Sequence, residues 1–109
     1  MTLKKKDWSV QKRSALSATN IVAKLAQLDG WKLSGDGDAV AIEKTFHFGN
    51  YFETIAFVNA VALVAHKEDH HPELAVFYKH CTVRFSTHDV AGVSASDFAC
   101  AVQLDALLA

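Results

Sequence analysis

The chain has 109 residues, half of which are hydrophobic, and its formal net charge is −1 at pH 7. This length and apolar content are enough for a single domain with its own core. Because 11 basic and 12 acidic residues nearly cancel, we do not expect a nucleic-acid-binding surface. No stretch is apolar for long enough to cross a bilayer, and the first residues do not resemble a secretory signal. We therefore expect no membrane association and a cytoplasmic location.

The beginning of the chain differs in character from the rest. We expect residues 1–13, which include three consecutive lysines, to be a flexible N-terminal lead-in, and residues 14–109 to form the single domain. Cys81 and Cys100 stand in apolar surroundings and lack the spacing of a metal site. We therefore expect both to be buried, reduced thiols, as in a reducing compartment.

The first half of the domain carries signals for one helix followed by a hairpin. Ser17 is a suitable N-cap residue, apolar side chains recur after it at the spacing of one helical face, and Gly30 can take the left-handed stop. The predicted elements are a helix over 18–28, a strand over 31–33, a turn over 35–38 and a return strand over 39–48. On the return strand the apolar side chains share one parity, with Lys44 as the exception.

A long helix is predicted over residues 51–67, after a Gly-Asn break. Between Ile55 and Ala65 its only polar residue is Asn59. A helix that is apolar nearly all round must be covered on more than one side, and one small sheet covers only one of them. We therefore expect a homodimer or homotetramer that associates through this helix.

The second half is predicted to add two strands, over 74–78 and 80–87, and a last helix that begins at Ser94. In the longer strand, apolar and polar side chains alternate over 81–86, so one face belongs to the core. Ser94 and Asp97 have the spacing of a capping box. The order α-β-β-α-β-β-α predicts an α+β fold, with a four-stranded antiparallel sheet and three helices packed on one face.

Residues 69–73, with the sequence Asp-His-His-Pro-Glu, form the most distinctive segment of the chain. Pro72, the only proline, lacks an amide hydrogen and disfavours helical geometry in the residue before it. We therefore expect His70 at a helix end and His71 in an extended conformation. The two imidazoles would then be directed differently from one rigid corner.

The chain contains six histidines, a surplus for its length. Histidine titrates near neutral pH and can therefore give and take protons under working conditions. Four of the histidines are expected to converge between the long helix and the last strand, namely His66, His70, His71 and His88. We interpret the other two, His47 and His80, as surface residues.

Metal binding would use the same imidazoles. His66 and His70 are four positions apart, but the glutamate position of a zinc hydrolase is occupied by Lys67, whose ammonium group disfavours a cation. We therefore predict no metal ion. The absence of a nucleophile elbow around Ser86 argues against nucleophilic catalysis. Asp97 can be explained as a helix cap alone.

Several segments occur together in an order and spacing that are more specific than a histidine cluster. They are Phe46-His47-Phe48, His66 to Glu73, Tyr78, Ser86-Thr87-His88-Asp89, Gly92 and Asp97. On these residues the chain resembles the pterin-4a-carbinolamine dehydratases, from about Ser17 to the C-terminus. It departs from the family pattern at His66, where an acidic residue is common.

The resemblance implies a hydro-lyase that removes water from 4a-hydroxytetrahydrobiopterin to give quinonoid dihydropterin, in the recycling of the tetrahydrobiopterin that aromatic amino-acid hydroxylases use. It implies no cofactor, because the pterin is the substrate. The implied catalytic residues are His70, His71 and His88, and the implied substrate-binding residues are Asp69, His71, Thr87 and Asp97. Loss of the 4a-hydroxyl needs one proton given and one taken. We expect His70 and His88 to transfer these protons while His71 orients the pterin.

Two other functions stay open at this point. The same family includes interaction proteins that bind the dimerisation helices of a transcription factor, and the apolar helix over 51–67 could serve such a partner. A small metal-dependent hydrolase would instead use His66, His70 and His88.

Overall fold

A computed structural model of the protein describes residues 3–7 and 13–109. Its helices and strands are α1 (Ala18–Leu25), β1 (Lys32–Ser34), β2 (Ala41–His47), α2 (Tyr51–Glu68), β3 (Glu73–Val76), β4 (His80–Phe85) and α3 (Ala95–Leu107). Short 3₁₀ turns occupy Gly37–Ala39 and His88–Val90. The predicted α+β class and element order are confirmed. Residues 1–2 and 8–12 lie outside the described residues, and the flexible lead-in over 1–13 stays a prediction.

The sheet has the strand order β1-β2-β4-β3, and each neighbouring pair is antiparallel. Successive residues of a strand point to opposite faces, so the two faces can differ in character. One face is apolar and buried, as predicted for β4, through Ile42, Phe46, Cys81, Val83 and Phe85. The opposite face carries charged and hydroxyl side chains, including Glu43, Thr45, Thr82 and Arg84.

All three helices cover the apolar face of the sheet. Their buried side chains belong to one cluster with those of the strands, namely Ile21 from α1, Phe57 and Val61 from α2, and Phe98 and Leu104 from α3. Burial of an apolar side chain of this size stabilises a fold by about 1.5–3 kcal/mol. A single core therefore holds sheet and helices together, and the prediction of three helices packed on one face is confirmed.

Helix α1 begins as predicted but ends earlier. The Ser17 hydroxyl accepts a hydrogen bond from the Asn20 amide, which confirms the predicted N-cap. The helix ends at Leu25 rather than at residue 28. The reason is that the amides of Gln27 and Leu28 bond to carbonyls three residues back instead of four, which tightens the chain out of α-helical geometry.

Helix α2 is buried on one side and open on the other. Thr54, Phe57 and Val61 face the core, whereas the side chains of Phe52 and Leu63 are 83% and 47% exposed. An apolar strip of the helix therefore contacts solvent in the single chain, and association through this helix stays a prediction. Within the described part of the chain, the helices lack the combination of length and apolar character needed to span a membrane.

Candidate active site

The His-His-Pro segment follows directly on the end of α2. The helix ends at Glu68, and Asp69 takes the left-handed conformation with a φ of 47°. The His70 amide then donates to the Ala65 carbonyl at 3.0 Å, which closes the last turn. His70 therefore lies at the helix end, as expected, although the chain leaves helical geometry one residue earlier, at Asp69. Its side chain is only 5% exposed, whereas His71 is exposed.

The imidazole of His70 is held by a buried carboxylate. Its Nε2 atom lies 2.5 Å from Oδ1 of Asp97, which is fully buried. The ring also stacks on Phe85, with ring centroids 5.9 Å apart and planes inclined by 10°. A carboxylate only accepts hydrogen bonds, so Nε2 carries the proton in this pair. The neutral ring then has its lone pair on Nδ1, the nitrogen that Asp97 does not contact.

The second oxygen of Asp97 belongs to the first turn of α3. Oδ2 accepts hydrogen bonds from the Ser94 amide at 2.9 Å and from the Thr87 hydroxyl at 2.8 Å. The Ser94 side chain caps the helix in return, which confirms the predicted capping box. The helix cap and the histidine thus share one carboxylate, and both of its oxygens are held in place.

A cavity of about 220 Å³ opens beside this pair. It is lined by residues that follow α2, residues that follow β4 and one residue that precedes α1, namely Asp69, His70, His71, Ser86, His88, Asp89 and Arg13. The structure therefore brings together the three histidines predicted to be catalytic. Of these, His88 is exposed and begins the 3₁₀ turn after β4.

Three of the residues considered in the sequence do not line this cavity. Asp97 and Thr87 are fully buried, and they connect to the cavity through His70. His66 does not converge with the others as expected, because its Nε2 atom lies 3.1 Å from the Leu3 carbonyl. Within residues 3–7 and 13–109, no three or more His, Cys, Asp or Glu side chains are arranged so that together they could hold a metal ion.

Arg13 is a cavity residue that sequence reasoning missed. The sequence places it in the predicted lead-in, yet its side chain is only 14% exposed. Nη2 donates to the carbonyl of Asp69 at 2.7 Å, 56 residues further along the chain. Nη1 lies 3.7 Å from Oδ2 of Asp89. No local pattern signals contacts over such separations, so the fold alone reveals them.

Two groups near the site have shifted pKa values. Burial alone would raise the pKa of Glu68, but hydrogen bonds from Gln103 and Lys6, with nearby positive charge, hold it below its ordinary value of 4.5. Burial raises the pKa of the Cys100 thiol to about 12, and nearby carboxylates act in the same direction. Cys100 therefore stays protonated near neutral pH and is not a nucleophile. Both cysteines are free and buried, as predicted.

His47 and His80 lie on the polar face of the sheet. They pair directly across β2 and β4, with ring centroids 5.8 Å apart. Neither lines the cavity. Their substitution therefore provides a matched control for substitution of the cavity histidines.

The fold and the cavity together define a class of protein, a small α+β domain with a histidine-lined site suited to proton transfer. Comparison with known proteins identifies the family. Residues 14–107 match the family model described as pterin 4 alpha carbinolamine dehydratase, and the chain belongs to this family. The resemblance seen in the sequence is thereby confirmed.

Individual relatives agree with this assignment. A curated relative from Paracidovorax citrulli, named "Putative pterin-4-alpha-carbinolamine dehydratase", is 63% identical over 107 residues, which cover 98% of this chain and 92% of the relative. A relative of the same name from Bdellovibrio bacteriovorus is 49% identical over 109 residues, which cover 96% of this chain and 86% of the relative.

Two solved structures have the same fold. A transcriptional coactivator/pterin dehydratase from Brucella melitensis matches with a TM-score of 0.81 and 30% identity, over 87% of this chain and 99% of that chain. A pterin dehydratase-like protein, identified as a RuBisCO assembly factor in the alpha-carboxysome, matches with a TM-score of 0.61 and 25% identity, over 72% of this chain and 88% of that chain.

Proposed function

We propose that this protein is a 4a-hydroxytetrahydrobiopterin dehydratase that acts by histidine acid–base catalysis in tetrahydrobiopterin recycling. The observation that carries the proposal is the meeting of His70, His71 and His88 at one cavity, with His70 bound to the buried carboxylate of Asp97. Family membership and the names of the relatives support pterin carbinolamine dehydratase activity. The roles of the histidines are inferred from the chemistry, and the pathway is what the family resemblance implies.

The reaction is an elimination in which two protons move. The bond between C4a and the hydroxyl oxygen breaks, and that oxygen takes a proton and leaves as water. N5 loses its proton as the double bond between C4a and N5 forms. One proton is given and one is taken, so the step balances without a redox partner. Two groups that titrate near neutral pH can perform it.

We assign His70 to the proton at N5 and His88 to the leaving oxygen. The Nδ1 lone pair of His70 can accept a proton, and the Asp97 carboxylate stabilises the imidazolium that results. His88 reaches the cavity from the turn after β4, a segment separate from the one that carries His70. The two imidazoles can therefore act on different atoms of one substrate.

The remaining site residues bind or position in this proposal. Asp69 and His71 line the cavity and are assigned to holding the pterin. Thr87 and Asp97, which the resemblance assigns to substrate binding, are fully buried and act through His70 instead. His70 is thereby held in one orientation before substrate enters, which lowers the cost of reaching the transition state.

The test follows the decay of 4a-hydroxytetrahydrobiopterin, generated by a phenylalanine hydroxylase reaction, by its ultraviolet absorbance. Wild type should accelerate the decay, and His70→Ala and His88→Ala should each slow catalysis by about 10²–10⁴-fold. His71→Ala should mainly raise KM. The controls His47→Ala and His80→Ala should retain the wild-type rate. A wild-type rate no faster than the spontaneous decay would refute the proposal.

The exposed side of α2 supports a second candidate function, association with another protein chain. Phe52 and Leu63 are exposed there, and an apolar groove of about 400 Å³, lined in part by Ala60 and Leu107, separates α2 from the end of α3. We propose that a second copy of the chain covers this surface. Two proteins with the same fold, one described as a transcriptional coactivator/pterin dehydratase and the other as a RuBisCO assembly factor, add the alternative of a different partner. A partner that still co-purifies after loss of His70 and His88 would favour that alternative.

A further inference from the structure

We infer that Arg13 is a positioning residue, which fixes the two histidine-bearing segments of the cavity relative to each other. This inference rests on the proposed dehydratase function. His70 and His71 follow α2, whereas His88 follows β4. The pairing of β3 with β4 and the hydrogen bonds of Asp97 with His70 and Thr87 bring the two segments together. The spacing of the residues around His70 and His88 then depends on contacts across the cavity.

One guanidinium group reaches both segments. Its Nη2 atom donates to the Asp69 carbonyl at 2.7 Å, and its Nη1 atom lies 3.7 Å from Oδ2 of Asp89. Asp69 directly precedes His70, and Asp89 directly follows His88. Each contact therefore falls within one residue of a histidine assigned to proton transfer.

The contact with Asp69 falls at a residue with strained backbone geometry. A non-glycine residue with a φ of 47° is uncommon, because a side chain strains the left-handed conformation. The orientation of the Asp69 carbonyl determines how the chain continues into His70. A buried N–H donor on that carbonyl holds the peptide in this orientation.

The backbone beside Arg13 is itself fixed to the site. Ala15 forms a β-bridge with Ser94, and the Leu16 amide donates to the Val93 carbonyl at 2.8 Å. Ser94 is the N-cap residue of α3 and binds Asp97 through its amide. Arg13 is therefore attached to the same framework that holds His70 from its other side.

A positive charge beside Asp69 is not enough to explain the role inferred for Arg13. Lys5 also contacts Asp69, with its Nζ atom 3.4 Å from a carboxylate oxygen, but the Lys5 side chain is itself 52% exposed, so water and salt weaken the interaction. The Asp89 carboxylate is exposed as well, and the difference between the two contacts lies in the cation. Arg13 is largely buried, and its planar group presents five N–H donors in a fixed fork that can bind two partners at once. Lysine at position 13 would keep the charge and lose one of the two contacts.

The test compares wild type with Arg13→Ala and Arg13→Lys, and uses Arg84→Ala as the matched control. Like Arg13, Arg84 contacts one carbonyl and one carboxylate: its Nη2 atom donates to the Ala39 carbonyl at 2.5 Å, and its Nη1 atom lies 3.7 Å from Oε2 of Glu73. Arg84 does not line the cavity. We expect kcat of both Arg13 variants to fall about 10–100-fold with KM changed less than about threefold, because a displacement near 1 Å has such effects. Arg84→Ala should keep kcat. Millimolar guanidinium should restore part of the rate of Arg13→Ala and none of that of Arg13→Lys.

Hydrogen exchange gives a readout that does not depend on activity. Peptides covering residues 69–71 and 88–92 should exchange faster in Arg13→Ala, whereas those of α3 should be unchanged. A kcat of Arg13→Ala within about twofold of wild type, full activity of Arg13→Lys, or unchanged exchange would each overturn the inference. If wild type itself does not accelerate dehydration, the proposed function fails, and the exchange result then decides whether Arg13 joins the two segments.

Discussion

Replacement of Asp97 by asparagine tests how one buried carboxylate supports both a helix cap and the proposed base. Asparagine keeps the shape, but one of its two terminal groups is an NH₂ that only donates. The Ser94 amide and the Thr87 hydroxyl both bind the same oxygen of Asp97. In the asparagine variant the amide oxygen therefore takes the place of Oδ2, and the NH₂ group takes the place of Oδ1 and faces His70. His70 must then accept at Nε2, which moves its proton to Nδ1.

The expected magnitude follows from these contacts. With its proton on Nδ1, His70 presents no lone pair to the substrate, so kcat should fall by about 10²–10⁴-fold. A hydrogen bond to a charged group contributes about 1.5–3 kcal/mol, and here such bonds are replaced by weaker neutral ones. We therefore expect the free energy of unfolding to decrease by about 1–3 kcal/mol and Tm by roughly 5–20 °C.

Three measurements test this prediction. Stopped-flow absorbance gives kcat, thermal denaturation gives Tm, and ¹⁵N NMR of the His70 ring shows which nitrogen carries the proton. The matched control is Thr87→Val, which removes one donor to Asp97 and leaves the carboxylate facing His70. It should lose about 1 kcal/mol of stability and far less activity than the asparagine variant. An asparagine variant that folds, keeps the Nε2 proton and retains wild-type kcat would refute the reasoning.

Two further predictions concern the ends and the open side of α2. Because the pKa of Glu68 is lowered in the folded protein, its charged form stabilises the fold above about pH 4.5. This stabilisation is lost as the pH falls through the lowered pKa of the folded state. In urea denaturation at pH 7, the free energy of unfolding of Glu68→Gln should be lower than that of wild type by up to about 1 kcal/mol. This difference should vanish in acid. A difference that stays constant with pH would contradict the prediction. Phe52→Asp should convert a wild-type oligomer to monomer by light scattering, whereas Val22→Asp, on an exposed site of α1, should not. A monomeric wild type would refute self-association.

The parts of the fold that sequence reasoning predicted well are those signalled by neighbouring residues. The Ser17 cap, the capping box of Ser94 and Asp97, and the alternation along β4 each depend on residues within a few positions of one another. Hydrogen bonds within one turn and the two-residue period of a strand do not need tertiary contacts to be recognised. The element order follows from adding these local signals.

Features that depend on distant partners could not be predicted in this way. Lys44 interrupts the apolar parity of β2, and no neighbouring residue explains it. In the folded protein its ammonium group binds Asp105, 61 residues away, and lies over the ring of Phe46. Asp105 also accepts the indole N–H of Trp31 at 3.0 Å. The same limit applies to Arg13, whose two partners come from separate segments beyond α2 and β4.

The site shows why a motif can name residues without assigning their roles. From the sequence, Asp97 has two competing explanations, a helix cap and an acidic residue of the site. The structure shows that one geometry serves both, because Oδ2 binds the cap and Oδ1 faces His70. Once the first turn of α3 has formed, Oδ2 is fixed and the direction of Oδ1 follows from it. The orientation of the His70 imidazole is therefore set by the folding of a helix cap before any substrate arrives, which is the preorganisation that the proposed proton transfer requires.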